Sequence, residues 1–329
     1  MDFESKFLGQ LFVFGFKGSF PSQEFIKLLQ EWNLGGIILF SENIESLRQT
    51  KELILSVKSY SKIPPFIMID QEGGLQNRIT RDFPVFPSNK HYGDGDDAKG
   101  VYEAYRTTAR SLSRLGINVN LAPVVDVLTN PKNKVIGERS FGDNPDQVSR
   151  FSRRAIDAMH AEGVLTCAKH FPGIGDIEVD PHQKMPLTPN SRERFEKTDF
   201  PPFKAAIESD VDFIMSTHVK CLSLDAESPA SLSSAICSQI LKTDMGYDGL
   251  VITDDIGMGA VKENFDMLDA CEKACFAGND LILVCHDYER HLDILEGFSK
   301  LLRDREMADD RFSRTVEKII LKKKKSLMP

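Results

Sequence analysis

Short, mostly apolar runs recur along the whole chain, at 11–14, 36–40, 66–69, 118–122, 164–168, 213–216, 250–253 and 281–285. Each is too short for a helix and too continuous for a strand with one wet face, so the pattern predicts about eight strands buried on both sides. Between them, at 44–59, 101–115, 148–162 and 233–245, apolar positions return every three or four residues, which predicts amphipathic crossover helices. Regular alternation of the two implies parallel βαβ units with right-handed crossovers. An α/β fold closed as a (β/α)8 TIM barrel accounts for the number of strands. The competing doubly wound sheet calls for a glycine-rich fingerprint after an early strand. Neither G-x-G-x-x-G nor a Walker A sequence occurs, and Gly173-Ile174-Gly175 lacks the third glycine. Helical stretches at 291–302 and 309–321 are expected to complete the outer ring. No linker, repeat or low-complexity segment divides the chain, so residues 1–329 are expected to form one catalytic domain.

Charge narrows the partners. A formal net charge of -8 opposes binding to nucleic acid, whose phosphates attract basic faces. The lysines at 322–325 are the only basic block and read as a solvated helix end, where cations suit the dipole. Met1-Asp2-Phe3-Glu4 is acidic where a signal peptide is basic, and the apolar stretch at 11–16 is short and broken by Gly15. A cytoplasmic protein without membrane attachment is expected. The six cysteines, Cys167, Cys221, Cys237, Cys271, Cys275 and Cys285, contain no C-x-x-C pair and read as reduced thiols. Cys271 and Cys275 share a helix face, but no histidine accompanies them, so core packing is the better reading.

In a barrel the chemistry collects where the strands end. The third run is followed by Asp70-Gln71-Glu72-Gly73-Gly74 and then Arg78, the fourth by Asp126 and later Arg139-Ser140-Phe141-Gly142. The fifth leads into Lys169-His170-Phe171-Pro172-Gly173, with Asp176, Asp180 and His182 beyond; His218 follows the sixth, Asp254-Asp255 the seventh and His286 the eighth. Such a rim offers carboxylates, imidazoles and fixed cations without a Cys/His metal cluster or a G-x-S-x-G elbow. It suits hydrolysis of a polar substrate by acid/base and carboxylate chemistry. An aspartate nucleophile is characteristic of glycosidases, where a carboxylate traps an oxocarbenium-like centre while an acid protonates the leaving oxygen.

The segment from Lys169 to Asp176 followed by Asp180-Pro181-His182 resembles the signature loop of glycoside hydrolase family 3 β-N-acetylglucosaminidases. Ile240-Leu241-Lys242 running on to Gly249-Leu250-Val251-Ile252-Thr253-Asp254 resembles the family's nucleophile segment. Asp70-Gln71-Glu72-Gly73-Gly74 with Arg78 resembles its sugar-hydroxyl clamp, and Arg139-Ser140-Phe141-Gly142 is a fourth match. The resemblance implies a retaining exo-β-N-acetylglucosaminidase acting on muropeptides in peptidoglycan recycling. Asp254 would be the nucleophile, His182 paired with Asp180 the acid/base, and Asp70, Arg78, Arg139, Lys169, His170 and His218 the residues that hold the sugar. Asp255, on the opposite strand face, would support or cap. It implies no cofactor and no metal, a small glycan fragment containing N-acetylglucosamine as substrate, and a monomer. The second sandwich domain of many β-glucosidases of the family, and the glutamate acid it supplies, are not expected here, so the resemblance implies that the histidine loop provides the acid.

A neutral imidazole becomes a usable acid only beside a carboxylate. Residues i and i+2 of an extended segment share a side, and Pro181 keeps Asp180 out of helical angles, so Asp180 can flank the ring of His182. The chain departs from the family at Ile174, usually His, and at Pro181, usually Ser. Two rival readings remain: a metal-dependent barrel hydrolase using Asp70, His170, His218 and Asp254, and a non-catalytic sugar-binding barrel, which Ile174 motivates.

Overall fold

A computed structural model describes residues 7–178, 180–181, 184–304 and 310–327, so the acidic start at residues 1–4 and His182 lie outside the described residues. Eight parallel strands close a barrel in chain order: β1 (Phe12–Phe14), β2 (Gly36–Leu39), β3 (Phe66–Ile69), β4 (Val119–Asn120), β5 (Leu165–Phe171), β6 (Phe213–Ser216), β7 (Leu250–Asp255) and β8 (Leu281–Val284). All eight expected runs are strands of this TIM barrel. Their bounds differ in ways that matter to the site. β4 is regular only over Val119–Asn120, but its backbone stays bonded to its neighbours beyond, from Leu121 N to Ile69 O and from Cys167 N to Ala122 O, each at 2.8 Å, and on to a bridge between Val124 and Lys169. β5 and β7 run on to Phe171 and Asp255, so residues expected just past the strands lie on them.

The ring of helices comprises α1 (Gln23–Trp32), α2 (Leu47–Tyr60), α3 (Ala98–Leu115), α4 (Pro145–His160), α5 (Phe200–Ile207), α6 (Ala235–Asp244, wound as a π-helix), α7 (Met267–Ala277) and α8 (His291–Asp304). Local chemistry sets their ends. Ser22, Ser46, Asp97, Asn144 and Asp266 each accept a first-turn backbone N–H, while Gly116 and Gly278 close α3 and α7 in the left-handed conformation.

The last helix, α9 (Asp310–Leu327), does not join the ring as expected. Its lysines reach residues that precede β1, β6, β7 and β8, so it crosses the end of the barrel opposite the strand termini. Lys318 Nζ donates to the Gly249 carbonyl at 2.6 Å and to Asp280 at 3.3 Å, Lys322 pairs with Asp212, and Lys323 Nζ donates to Gln10 Oε1 at 2.7 Å. Two lysines of the 322–325 run are therefore tethers rather than a solvated helix end. Lys323 is fully buried, 5.0 Å from the centroid of the Phe66 ring. Hydrophobic periodicity could not show this, because it scores every lysine as outward-facing.

Burial holds the Lys323 ammonium well below its ordinary pKa. Above that depressed pKa the unfolded chain, with an ordinary lysine, binds more protons than the folded one, so this residue makes stability rise with pH up to about 10.4. Lys323→Met should remove a slope of up to about 1.4 kcal/mol per pH unit, read from urea unfolding at pH 7 and pH 9. An unchanged slope would mean that Lys323 stays protonated inside the fold.

Candidate active site

The ends of β3 and β5 hold a buried set of charges. Gly73 and Gly74, both at positive φ, turn the chain after β3 into a hairpin between Gln71–Gly73 and Gln76–Asn77. Asn120 on β4 fixes its base, accepting from Gln71 N at 3.0 Å and donating to Gln71 O at 2.9 Å. The Gln71 side chain in turn accepts from the backbone of Arg78 and Ile79, at 2.9 and 3.1 Å, which carries Arg78 back beside Asp70. On β5 the ladder to β6 shifts register between Lys169 and Phe171, and the side chains of both Lys169 and His170 line the pocket.

Lys169 Nζ sits between Asp70 Oδ1 at 2.8 Å and Glu72 Oε1 at 2.7 Å, and Arg139 grips Glu72 with two parallel bonds of 2.9 Å. Arg78 Nη2 donates to Asp70 Oδ2 at 3.1 Å. Burial alone would raise the Asp70 and Glu72 carboxyls, yet both end below their ordinary range. Lys169 and Arg78 lower Asp70; Arg139 and Lys169 lower Glu72 further. Burial likewise opposes the charge on Lys169, but Asp70 and Glu72 hold its pKa above the ordinary value. Lys169, Arg139 and Arg78 are thus interleaved with Asp70 and Glu72 along this wall.

His170 continues the wall. Its Nδ1 lies 2.7 Å from Asp126 Oδ2 and its Nε2 3.2 Å from Arg139 Nη2. A guanidinium can only donate, so Nε2 accepts and Nδ1 carries the proton. The signature loop then hangs on backbone contacts: Ile174 N donates to Asp126 Oδ1 at 2.8 Å and Ile174 O accepts from Asn133 Nδ2 at 2.6 Å. Gly175 packs so tightly that an added Cβ would lie 1.8 Å from the Val127 carbonyl oxygen. Asp176 is held by Thr129 at 3.3 Å and Asn190 at 3.0 Å. Farther on, the Pro181 carbonyl accepts from Ala260 N at 3.0 Å, tying this loop to the segment after β7. Pro181 lines the pocket, with Asp180 next to it in the chain, while His182 lies outside the described residues.

Asp254 projects from the end of β7 into a cavity of about 190 Å³, which Asp70, Glu72, Arg78, Arg139, Lys169 and His170 also line. Its carboxylate accepts from Asp255 N at 2.9 Å. Asp255 caps the turn beyond, accepting from Gly257 N and Cys285 N, each at 3.0 Å. His218 does not join the pocket. It is fully buried, with Nδ1 2.6 Å from Ser231 Oγ and Nε2 2.9 Å from the Asp255 carbonyl, and burial lowers its pKa. A carbonyl only accepts, so Nε2 carries the proton and pins the backbone of the β7 end. The four ligands of the metal reading consequently do not converge: His218 faces away, and both ring nitrogens of His170 are engaged. Among the described residues no group of three or more acidic, His or Cys side chains is arranged to hold a metal ion.

Glu72 was not among the expected sugar-holding residues, although it stood in the clamp motif, and it is the pivot of the charge set. Glu72→Ala would leave Lys169 and Arg139 underpaired in a dry site and should cost about 3–5 kcal/mol in denaturant unfolding. Because the folded pKa of Glu72 is depressed, its contribution is complete above about pH 4.3 and wanes as pH falls below that. The loss on mutation should therefore shrink in acid, which unfolding at pH 7 and pH 3.5 measures.

The comparisons agree with this geometry. The model for the glycosyl hydrolase family 3 N terminal domain matches residues 4–321. Beta-hexosaminidase A of Pseudoalteromonas piscicida is 36% identical over 282 residues, 79% of this chain and 47% of its own. A beta-hexosaminidase of Actinobacillus pleuropneumoniae serotype 5b is 33% identical, over 84% of this chain and 81% of its own. A family 3 beta-N-acetylglucosaminidase from Paenibacillus superposes with a TM-score of 0.96 at 34% identity, covering 100% of this chain and 63% of that one. NagZ from Neisseria gonorrhoeae, in complex with N-trifluoroacetyl-D-glucosamine, superposes with a TM-score of 0.81 at 26% identity, covering 97% and 94%. The chain thus spans about half of the first relative and under two thirds of the Paenibacillus protein. With the family model matched along nearly its whole length and a relative 33% identical over 84% of it, this chain belongs to glycoside hydrolase family 3.

Proposed function

We propose that the chain is a retaining exo-β-N-acetylglucosaminidase. The observation that carries this reading is the placement of Asp254 in a small pocket opposite a buried wall on which Lys169, Arg139 and Arg78 pair with Asp70 and Glu72. The cavity of about 190 Å³ is below the roughly 300–1,000 Å³ of sites for larger ligands, in keeping with one terminal sugar residue. The names of the relatives, beta-hexosaminidases and a beta-N-acetylglucosaminidase, support the choice of sugar.

In this reading Asp70, Arg78, Arg139, Lys169 and His170 hold the sugar. Lys169 has three N–H donors and places two on Asp70 and Glu72, so the third can reach a hydroxyl. Asp254 attacks the anomeric carbon as the glycosidic bond breaks, and His182, supported by Asp180, protonates the departing oxygen. Water then cleaves the glycosyl–Asp254 ester as His182 takes back the proton. The anomeric configuration is retained after two inversions. His218 serves by holding the β7 end rather than by touching sugar. The substrate class is a small N-acetylglucosamine-terminated fragment such as a muropeptide, met in the cytoplasm by a monomer formed of one catalytic domain. No helix among the described residues is long and apolar enough to cross a membrane.

Ile174 favours catalysis over the binding-only rival. Its backbone, not its side chain, anchors the loop, so the loss of a polar side chain there leaves the anchor in place.

Asp254→Asn should abolish nearly all turnover of nitrophenyl β-N-acetylglucosaminide while sugar binding persists, and a fluorosugar trap should label Asp254 in the wild type. Label on another peptide, or an inverted product anomer by NMR, overturns the mechanism. His182→Ala should lose about 10²–10⁴ in glycosylation rate with a sugar leaving group and far less with nitrophenolate, which needs no proton. Equal losses in single turnover would make His182 a positioning residue instead.

A further inference from the structure

The rim holds a hydrogen-bonded chain that neither the nucleophile nor the clamp uses. Glu42 stands just beyond β2, in a turn that the buried Asn43 fixes by bonds of 2.8 and 2.7 Å to the Phe16 and Gly18 carbonyls. Tyr288, just beyond β8, donates its hydroxyl to Glu42 Oε1 at 2.7 Å, and His286 Nδ1 lies 3.1 Å from the same hydroxyl oxygen. Burial and the Glu42 charge push the phenol's pKa up, which keeps it a donor. The direction of the chain follows. A carboxylate accepts, so the phenol proton points to Glu42, and the phenol oxygen must accept from His286 Nδ1–H. Nε2 of His286 is then left as an acceptor. The ring is also held by Phe40, 4.5 Å away between centroids.

His286 lines the same pocket as Asp254 but is exposed, whereas Glu72 and Lys169 are buried at its inner end. A terminal sugar that enters such a pocket fills the inner end and leaves its aglycone at the mouth. We propose that His286, aligned by Tyr288 and Glu42, accepts a hydrogen bond from a hydroxyl of the leaving-group sugar, and so favours saccharide aglycones over hydroxyl-free ones. The inference rests on the exo-glycosidase reading above and adds to it an aglycone-recognising residue. The chemistry is specific to a hydroxyl donor: a neutral imidazole nitrogen in this tautomer offers a lone pair and nothing to a nitrophenyl ring's apolar edge.

The test compares kcat/KM for β-1,4-linked di-N-acetylglucosamine with kcat/KM for nitrophenyl β-N-acetylglucosaminide, each taken as a ratio to cancel changes common to both. His286→Phe, which keeps a ring against Phe40, should lower the ratio about tenfold, the size of one lost hydrogen bond. Tyr288→Phe, which frees the ring to change tautomer, should lower it less. His286→Gln, whose amide oxygen can accept in place of Nε2, should restore part of it. An unmoved ratio in His286→Phe, whatever the individual rates, overturns the inference and leaves the function standing. A wild-type protein that cleaves neither substrate overturns both.

Discussion

Glu72 and Asp70 cannot be buried without Lys169, Arg139 and Arg78, nor those cations without the carboxylates. Ionised groups taken out of water cost several kcal/mol each unless their partners come with them. That mutual requirement ties the hairpin after β3, the end of β5 and the loop carrying Arg139 into one arrangement. The rest of the pocket is built against it. His170 leans on Arg139, Asp126 orients His170, and the loop that follows hangs from the second oxygen of Asp126. The loop that follows β5 therefore depends on the same charge set.

The opposite wall follows a different principle. Asp254 is placed by strand geometry, and its backbone is stiffened from behind by His218, which bonds the Asp255 carbonyl, and by Asp255, which ties β7 to β8 through Cys285 N. Hydrogen bonds to the main chain locate Asp254. The pocket thus sets a preorganised wall of paired charges against an acidic group held by backbone.

Much of this was legible in the sequence. Strands covered on both sides show as continuous apolar runs, and all eight did. Asp70, Arg78, Arg139, Lys169, His170 and Asp254 share the pocket because each stands at or just beyond the end of a strand or its loop, where a barrel gathers chemistry. What failed depended on direction rather than position. His218 follows β6 as Asp254 follows β7, yet a single histidine in a sequence carries no sign of whether it faces a cavity or the back of the neighbouring strand. Glu72 was overshadowed by Asp70 because motifs rank residues by expected ligand contact, while its importance lies in joining two cations. Lys323 reads as surface until a helix is seen to cross the barrel's end.

That crossing helix also orders events in time. Gln10 and Lys323, whose side chains meet under the barrel, lie 313 residues apart in the chain. At roughly 5–20 residues per second, a ribosome needs roughly 15–60 s to make the second partner after the first. Every residue of the pocket has been synthesised before the base of the barrel can be stoppered, so the nascent chain exposes the apolar ends of its strands until the last helix arrives.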